Sequence, residues 1–334
     1  MSSELTTQVI EAGPCAIKAA ARVLALGSLV AFPTETVYGL GADACNGEAV
    51  ARLYEAKGRP LFNPLIAHVA DVAGAHQLAR FDAAAERLAA AFWPGALTLV
   101  LPRRADCPVA ELASAGFDTI AVRVPSHPVA RGILAAFAGA VAAPSANRAG
   151  YVSPTTAAHV LADLRGRIEL IVDGGPAAMG LESTIVACVG KPTLLRPGAL
   201  PRAAIEQVLA DGEVPLKVGL AATDLADAHA APVAPGQLPS HYAPRARLRL
   251  DAVGVNPGEA LLAFGPERIA GANAALLELN LSPRGDLIEA AARLFSHLRA
   301  LDASGAATIA VMPVPRMGLG EAINDRLKRA AAPR

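Results

Sequence analysis

From about residue 14 to residue 209, short β-branched and aliphatic runs alternate with alanine-rich stretches at helical spacing. That rhythm restricts this part of the chain to mixed α/β structure. Residues 29–32, stopping at Pro33, predict a strand, and so do 64–69, 97–101, 119–124, 140–143, 170–172 and 183–189. Residues 48–56 and 83–92 predict helices. Strands outnumber long helices, so the expectation is one large twisted sheet with helices covering it.

The rhythm stops between residues 212 and 244, where Pro215, Pro232, Pro235, Pro239 and Pro244 interrupt an alanine-rich sequence. Proline fixes its own φ and restricts its predecessor, which predicts an extended, semi-rigid connector. Beyond it, 247–250, 260–264, 275–279 and 308–312 alternate with a long helical stretch, 287–301, placed just before the last strand. That order predicts a small parallel α/β domain. The chain divides accordingly into a first domain at 10–210, a connector at 211–245 and a second domain at 246–334. Its 334 residues exceed what one core usually supports.

Composition excludes several classes. Lysine plus arginine equals aspartate plus glutamate at 30 each, with no basic stripe, which disfavours stable nucleic-acid binding. The start, MSSELTTQVIEAG, has neither a basic region nor an apolar core, and the apolar run 133–143 is too short to span a bilayer. No membrane association and a cytoplasmic location are expected. Cys15, Cys45, Cys107 and Cys188 are scattered, without the paired spacing of a zinc site or redox dithiol. No GxxxxGK[ST], GxGxxG, GxSxG or HExxH occurs, which argues against P-loop ATPases, dehydrogenases, esterases and zinc peptidases.

Three constellations could carry chemistry. PTETVYGLG, residues 33–41, places Thr36 just past a strand, where α/β sheets gather ligands; a plain polar turn fits it equally well. KGRP, residues 57–60, sets Lys57 and Arg59 about a glycine, with Asn63 and His68 behind. The two cations suit one anion, phosphate foremost, although a solvated helix end has the same composition. His68 alone also reads as a core histidine. PSAN, residues 144–147, offers the Ser145 hydroxyl and Asn147 amide to a ligand, or forms a turn or cap. Thr119 and Arg123 share one face of a strand, and a buried arginine there needs an anionic partner. Ser153, ESTIV at 182–186 and RPG at 196–198 complete the candidates.

Taken together and in order, PTETVYGLG, KGRP followed by FNPL and a histidine, PSAN, ESTIV and RPG resemble the YrdC-type domain over roughly residues 14–209. The connector's PSHYAP, residues 239–244, with the additional domain, resembles the long two-domain form of threonylcarbamoyladenylate synthases. The resemblance implies an open, twisted mixed α/β sheet with a concave cavity, followed by a Rossmann-like domain. It implies synthesis of threonylcarbamoyl-AMP and pyrophosphate from L-threonine, bicarbonate and ATP with Mg2+, for threonylcarbamoyl modification of tRNA by downstream transferase proteins. It further implies that Thr36, His68, Arg123, Ser183 and the backbone of Ala143 contact threonine. Arg59, Asn63, Thr119, Ser145, Ser153, Arg196 and Tyr242 would contact ATP, with Lys57 and Asn147 completing the lining. No metal ligands are assigned. The alternatives are a carbamoyl-transfer maturation enzyme, against which the lack of paired cysteines argues, and a non-catalytic RNA-binding module, which the neutral charge opposes.

Overall fold

The computed structural model describes residues 5–210, 212, 217–218 and 240–333. The first domain begins with β1 (Gln8–Glu11), α1 (Pro14–Ala25), β2 (Val30–Pro33), β3 (Tyr38–Asp43), α2 (Gly47–Lys57), β4 (Ile66–His68) and α3 (Val72–Leu78). It continues with α4 (Ala83–Phe92), β5 (Leu97–Pro102), the short α5 (Glu111–Ser114), β6 (Thr119–Arg123), α6 (Pro128–Phe137) and β7 (Val141–Ala142). Then come α7 (Ala157–Leu164), β8 (Leu170–Asp173), β9 (Thr184–Ala187), β10 (Thr193–Arg196), α8 (Arg202–Ala210) and β11 (Lys217–Val218).

These strands form one mixed sheet in the order β1-β8-β2-β3-β7-β4-β6-β5-β9-β10-β11. The expectation of a single large covered sheet is met. Two readings change. Residues 38–41 form much of β3, antiparallel to β2 with Phe32 opposite Gly39, so the motif is a hairpin rather than a strand and a turn. Residues 217–218 pair parallel with β10, so the sheet reaches into the span expected to be connector. Pro215, Pro232, Pro235 and Pro239 lie outside the described residues, and Ser240 to Pro244 are placed against both domains.

The second domain holds β12 (Arg247–Arg249), β13 (Ala260–Ala263), β14 (Glu278–Asn280), α9 (Leu287–Ala303), β15 (Thr308–Val311) and α10 (Leu319–Ala331). Its four strands are all parallel, in the order β12-β15-β13-β14. Asp286 caps α9 by accepting from the amides of Ile288 and Glu289. The buried side of α9 carries Ala290, Ala291, Leu294, Phe295, Leu298 and Leu301, the three-and-four spacing of a one-faced helix.

The core of this domain does not stop at the domain boundary. Val37, Val152 and Leu181 of the first domain, with Tyr242, belong to the same buried cluster as Phe295 and Leu298. An ion pair between Arg299 and Asp163 at 2.6 Å also crosses from α9 to α7. No helix among the described residues is long and apolar enough to cross a membrane.

Candidate active site

The site begins where α2 ends. Gly58 takes the left-handed conformation at φ 60°, its amide donating to Glu55 O and that of Arg59 to Tyr54 O at 2.9 Å. This double return is a Schellman closure, and it needs the glycine because a Cβ is disfavoured at that φ. Lys57 Nζ donates to the carbonyls of Ser145 and Asn147, both at 2.5 Å, so it fastens the third motif to the second. That third motif rides in turn on β3, where Leu40 N donates to Pro144 O and Ala146 N to Tyr38 O. Arg59 is held by the carbonyls of Asn63 and Pro64. Burial draws its pKa down to about 10, which leaves it a cation at neutral pH.

Arg123 closes the opposite wall at the end of β6. Its Nη2 meets Glu35 Oε1 at 2.6 Å, Nη1 donates to Thr36 Oγ1 at 3.0 Å, and Nε to Gly95 O. Glu35 Oε2 accepts from the amides of Ser126 and His127. Burial would raise the Glu35 pKa, but the Arg123 charge and these hydrogen bonds outweigh it and hold it below the usual value. His68 sits opposite Arg123 in the parallel β4–β6 register. Burial, then the Arg123 charge, push its pKa down to about 3, so the imidazole is neutral.

The third wall is β9 and β10. Ser183 Oγ lies 2.8 Å from Thr98 Oγ1, and Arg196 Nη2 donates to Ser183 O at 2.7 Å. Close approach at Gly198 makes this contact: a Cβ there would stand 2.4 Å from Glu182 O and 2.5 Å from Thr184 N. The RPG motif is thus an arginine followed by the only residue type that lets its strand end lie on ESTIV.

Thr36, Arg59, His68, Arg123, Ala143, Ser145, Ser183, Arg196 and Tyr242 line one cavity of about 50 Å3, together with Ile66, Glu182 and His241. The other expected residues stand behind this lining or beside it. Lys57 and Asn147 secure the 145–147 loop, and Ser153 Oγ donates to Glu182 Oε1 at 2.5 Å. Asn63 supports Arg59 through its carbonyl, and Thr119 lies at the far end of β6 from Arg123. The sequence reading missed Glu35, Glu182 and His241, although each stands inside or next to a motif it used. Burial and the charges of Arg59, Lys57, Arg196 and Arg326 hold the His241 pKa well below the ordinary value.

Buried guanidinium groups sharing a cavity with a neutral histidine and a set of hydroxyls, on a large mixed sheet followed by a parallel one, mark a two-domain α/β enzyme. Residues 22–198 match the family model described as "Telomere recombination", and residues 200–332 the model described as "Threonylcarbamoyl-AMP synthase, C-terminal domain". The chain belongs to the threonylcarbamoyl-AMP synthase family. The threonylcarbamoyl-AMP synthase of Bacillus subtilis is 40% identical over 331 residues, 95% of this chain and 93% of that protein. The crystal structure of P. abyssi Sua5 complexed with L-threonine matches with a TM-score of 0.85 at 37% identity, covering 98% of both chains. E. coli YciO, 21% identical with a TM-score of 0.52, covers 58% of this chain and 96% of its own, and shares the fold.

Proposed function

We propose that the chain joins L-threonine, bicarbonate and ATP into threonylcarbamoyl-AMP and releases pyrophosphate. One observation carries this reading. Arg123, with Thr36, His68 and Ser183, opens onto the same cavity as Arg59, Ser145 and Arg196, so side chains suited to a carboxylate and to a phosphate chain share one space. Threonine would place its carboxylate on Arg123, near the Ala143 backbone. ATP would lie along Arg59, Ser145, Arg196 and Tyr242, with Lys57, Asn63, Thr119, Asn147 and Ser153 shaping or extending that lining.

The threonine amine and bicarbonate yield a carbamate and water. A carbamate oxygen then attacks the α-phosphorus, the bond to the β-phosphate bridge breaks, and pyrophosphate leaves. No covalent enzyme intermediate is required. The protein aligns the reactants and neutralises phosphate charge, the usual basis of such catalysis. Removing Arg59 should cost roughly 2–4 kcal/mol of transition-state stabilisation, as loss of one oxyanion donor does. Incubation with labelled threonine, bicarbonate, ATP and magnesium, followed by chromatography for a threonine-containing adenylate, tests the reaction. Absence of that product from the wild type overturns it, and near-normal product from Arg59→Ala overturns the arginine's role.

Magnesium is proposed as a companion of ATP rather than a resident ion. Among the described residues no group of three or more His, Cys, Asp or Glu side chains is placed to hold a metal. Glu182 in the cavity lining and Glu35 behind Arg123 each hold an arginine. These residues do not make a metal cage, and triphosphate oxygens and water would ligate the ion.

The cavity of about 50 Å3 is far below the roughly 300–1,000 Å3 of sites for molecules of this size. His241 and Tyr242 form one of its walls, so their segment must withdraw to admit ATP and can return over an unstable carbamate. Deleting residues 238–244 should abolish synthesis; undiminished synthesis would reduce the segment to a tether. We further propose that the product passes to tRNA-modifying transferase proteins in the cytoplasm. Relatives that match over nearly their full length favour this reading over carbamoyl transfer.

A further inference from the structure

Arg326, on α10 of the second domain, is the largest fully buried side chain among the described residues. Its Nε donates to Glu182 Oε2 at 2.8 Å and its Nη1 to Asp325 Oδ2 at 2.6 Å. The guanidinium carbon stands 5.0 Å from the centre of the Tyr242 ring, which also stacks on Phe295 at 5.6 Å. Nη2 has no hydrogen-bond partner among the described residues. Burial works against the charge, yet Tyr242, Glu182 and Asp325 outweigh it and keep Arg326 a firm cation.

Two of the three groups that Arg326 touches, Glu182 and Tyr242, belong to the cavity wall. Glu182 receives the Ser153 hydroxyl on its second oxygen and precedes Ser183. Tyr242 has φ 62°, a conformation rare outside glycine that surrounding packing must hold. Phe295 and Arg326, both in the second domain, pack on its ring within the cluster that also holds Val37, Val152 and Leu181, while Ala243 N donates to Gly150 O and His241 N to Arg329 O. A single side chain of α10 thus fixes an anion on one wall and an aromatic ring on the next.

We propose that Arg326 is a positioning residue for nucleotide binding: it sets the Tyr242 ring and the Glu182 carboxylate at the cavity from the second domain. The proposal rests on the adenylate-forming reading only for its turnover readout, since ATP affinity is measured independently. It also distinguishes Arg326 from a mere clamp between domains. Arg299 pairs with Asp163 and donates to Val152 O across the same boundary, and touches neither Tyr242 nor Glu182.

The test compares wild type, Arg326→Lys and Arg299→Met by calorimetric titration with ATP, thermal melting, and adenylate formation with ATP and threonine varied separately. Lysine keeps a point charge for Glu182 but cannot lay a planar guanidinium over the ring. Arg326→Lys should raise the Kd and KM for ATP by up to about 30-fold, the size of one desolvated cation–π contact, with a smaller change in the KM for threonine. In a Tyr242→Leu background Arg326→Lys should weaken ATP binding by much less than it does in the wild type, as residues acting through each other are non-additive. Arg299→Met should lower the melting temperature and leave ATP affinity unchanged. Asp325→Asn, which loosens the Nη1 anchor without touching the lining, should shift ATP affinity the same way by less, and serves if the lysine variant does not fold. Wild-type ATP affinity in Arg326→Lys or Asp325→Asn, or an equal loss in Arg299→Met, overturns the role. A wild type that binds ATP without forming adenylate, with weakened binding in Arg326→Lys, overturns the reaction and sustains the positioning; a wild type that binds no ATP overturns both.

Discussion

Arg123 and Glu35 are nearly water-free, at 4% and 7% exposure, and each is tolerable there because of the other. Glu35→Gln leaves the guanidinium buried without its counter-charge, and urea unfolding should show a loss of about 3 kcal/mol. An unchanged midpoint would mean that Thr36 and Gly95 satisfy Arg123 alone. The acid side adds a pH dependence. The Glu35 carboxyl has a folded pKa below its unfolded one, so its stabilisation is present above about pH 4.3 and is lost as pH falls through the lower folded value. His68 stays neutral in the fold to about pH 3, whereas the unfolded chain takes up its proton near pH 6.5. Stability should therefore fall as pH drops from about 6.5 toward 3, by up to about 1.4 kcal/mol per unit for this histidine. Urea midpoints measured at about pH 7 and pH 5 should differ, and His68→Gln should reduce the difference; an equal slope in that variant removes His68 as its source. The need of Arg123 for an anion was legible in an apolar strand. The anion's identity was not, because Glu35 lies 88 residues earlier and only the β2–β3 turn brings it across.

At the level of elements, what the sequence revealed depended on how local each cause was. Strands such as β5 and β6 are apolar enough to announce themselves, and α4 and α9 carry their own caps at Asp82 and Asp286. By contrast β3, with Tyr38, Gly39 and Gly41, has little β-forming composition; its strand is made by pairing with β2 and by the bonds of Tyr38 and Leu40 to the 144–146 loop. The strand read at 140–143 is present as the two-residue β7, Val141–Ala142, paired with β3 and β4. The RPG end of β10 gives a sharper case. Gly198→Ala would drive a methyl into the backbone of Glu182 to Thr184, with no flexible side chain there to yield. The strand end must shift, at a cost of about 1–3 kcal/mol, and Arg196 moves with it. The variant should melt earlier and bind ATP more weakly even though no charged group is altered. Wild-type affinity in a destabilised Gly198→Ala would separate the strand's packing from the placement of Arg196.

For the molecule as a whole, the two domains read from the sequence are two sheets, but they are not two independent cores. Neither the proline-rich composition of the connector nor the periodicity of either half signals this, because the shared contacts join residues far apart in the chain. Val37, Val152 and Leu181 are covered by the second domain, and Glu182 is neutralised from it by Arg326. A fragment ending at residue 210 would expose that apolar surface together with an unpaired carboxylate beside the cavity. Exposed apolar patches of this kind drive association, and a carboxylate at its edge does not hide them. The fragment should therefore bind a hydrophobic dye, scatter light at micromolar concentration and melt below the full chain. It should also bind ATP more weakly than full-length protein, since Tyr242 and Arg326 are gone while Arg59 and Arg196 remain. A monomeric, dye-silent fragment with the full chain's melting temperature and ATP affinity would show the first domain to be self-sufficient, and the contacts of α9 and α10 to be incidental to the site.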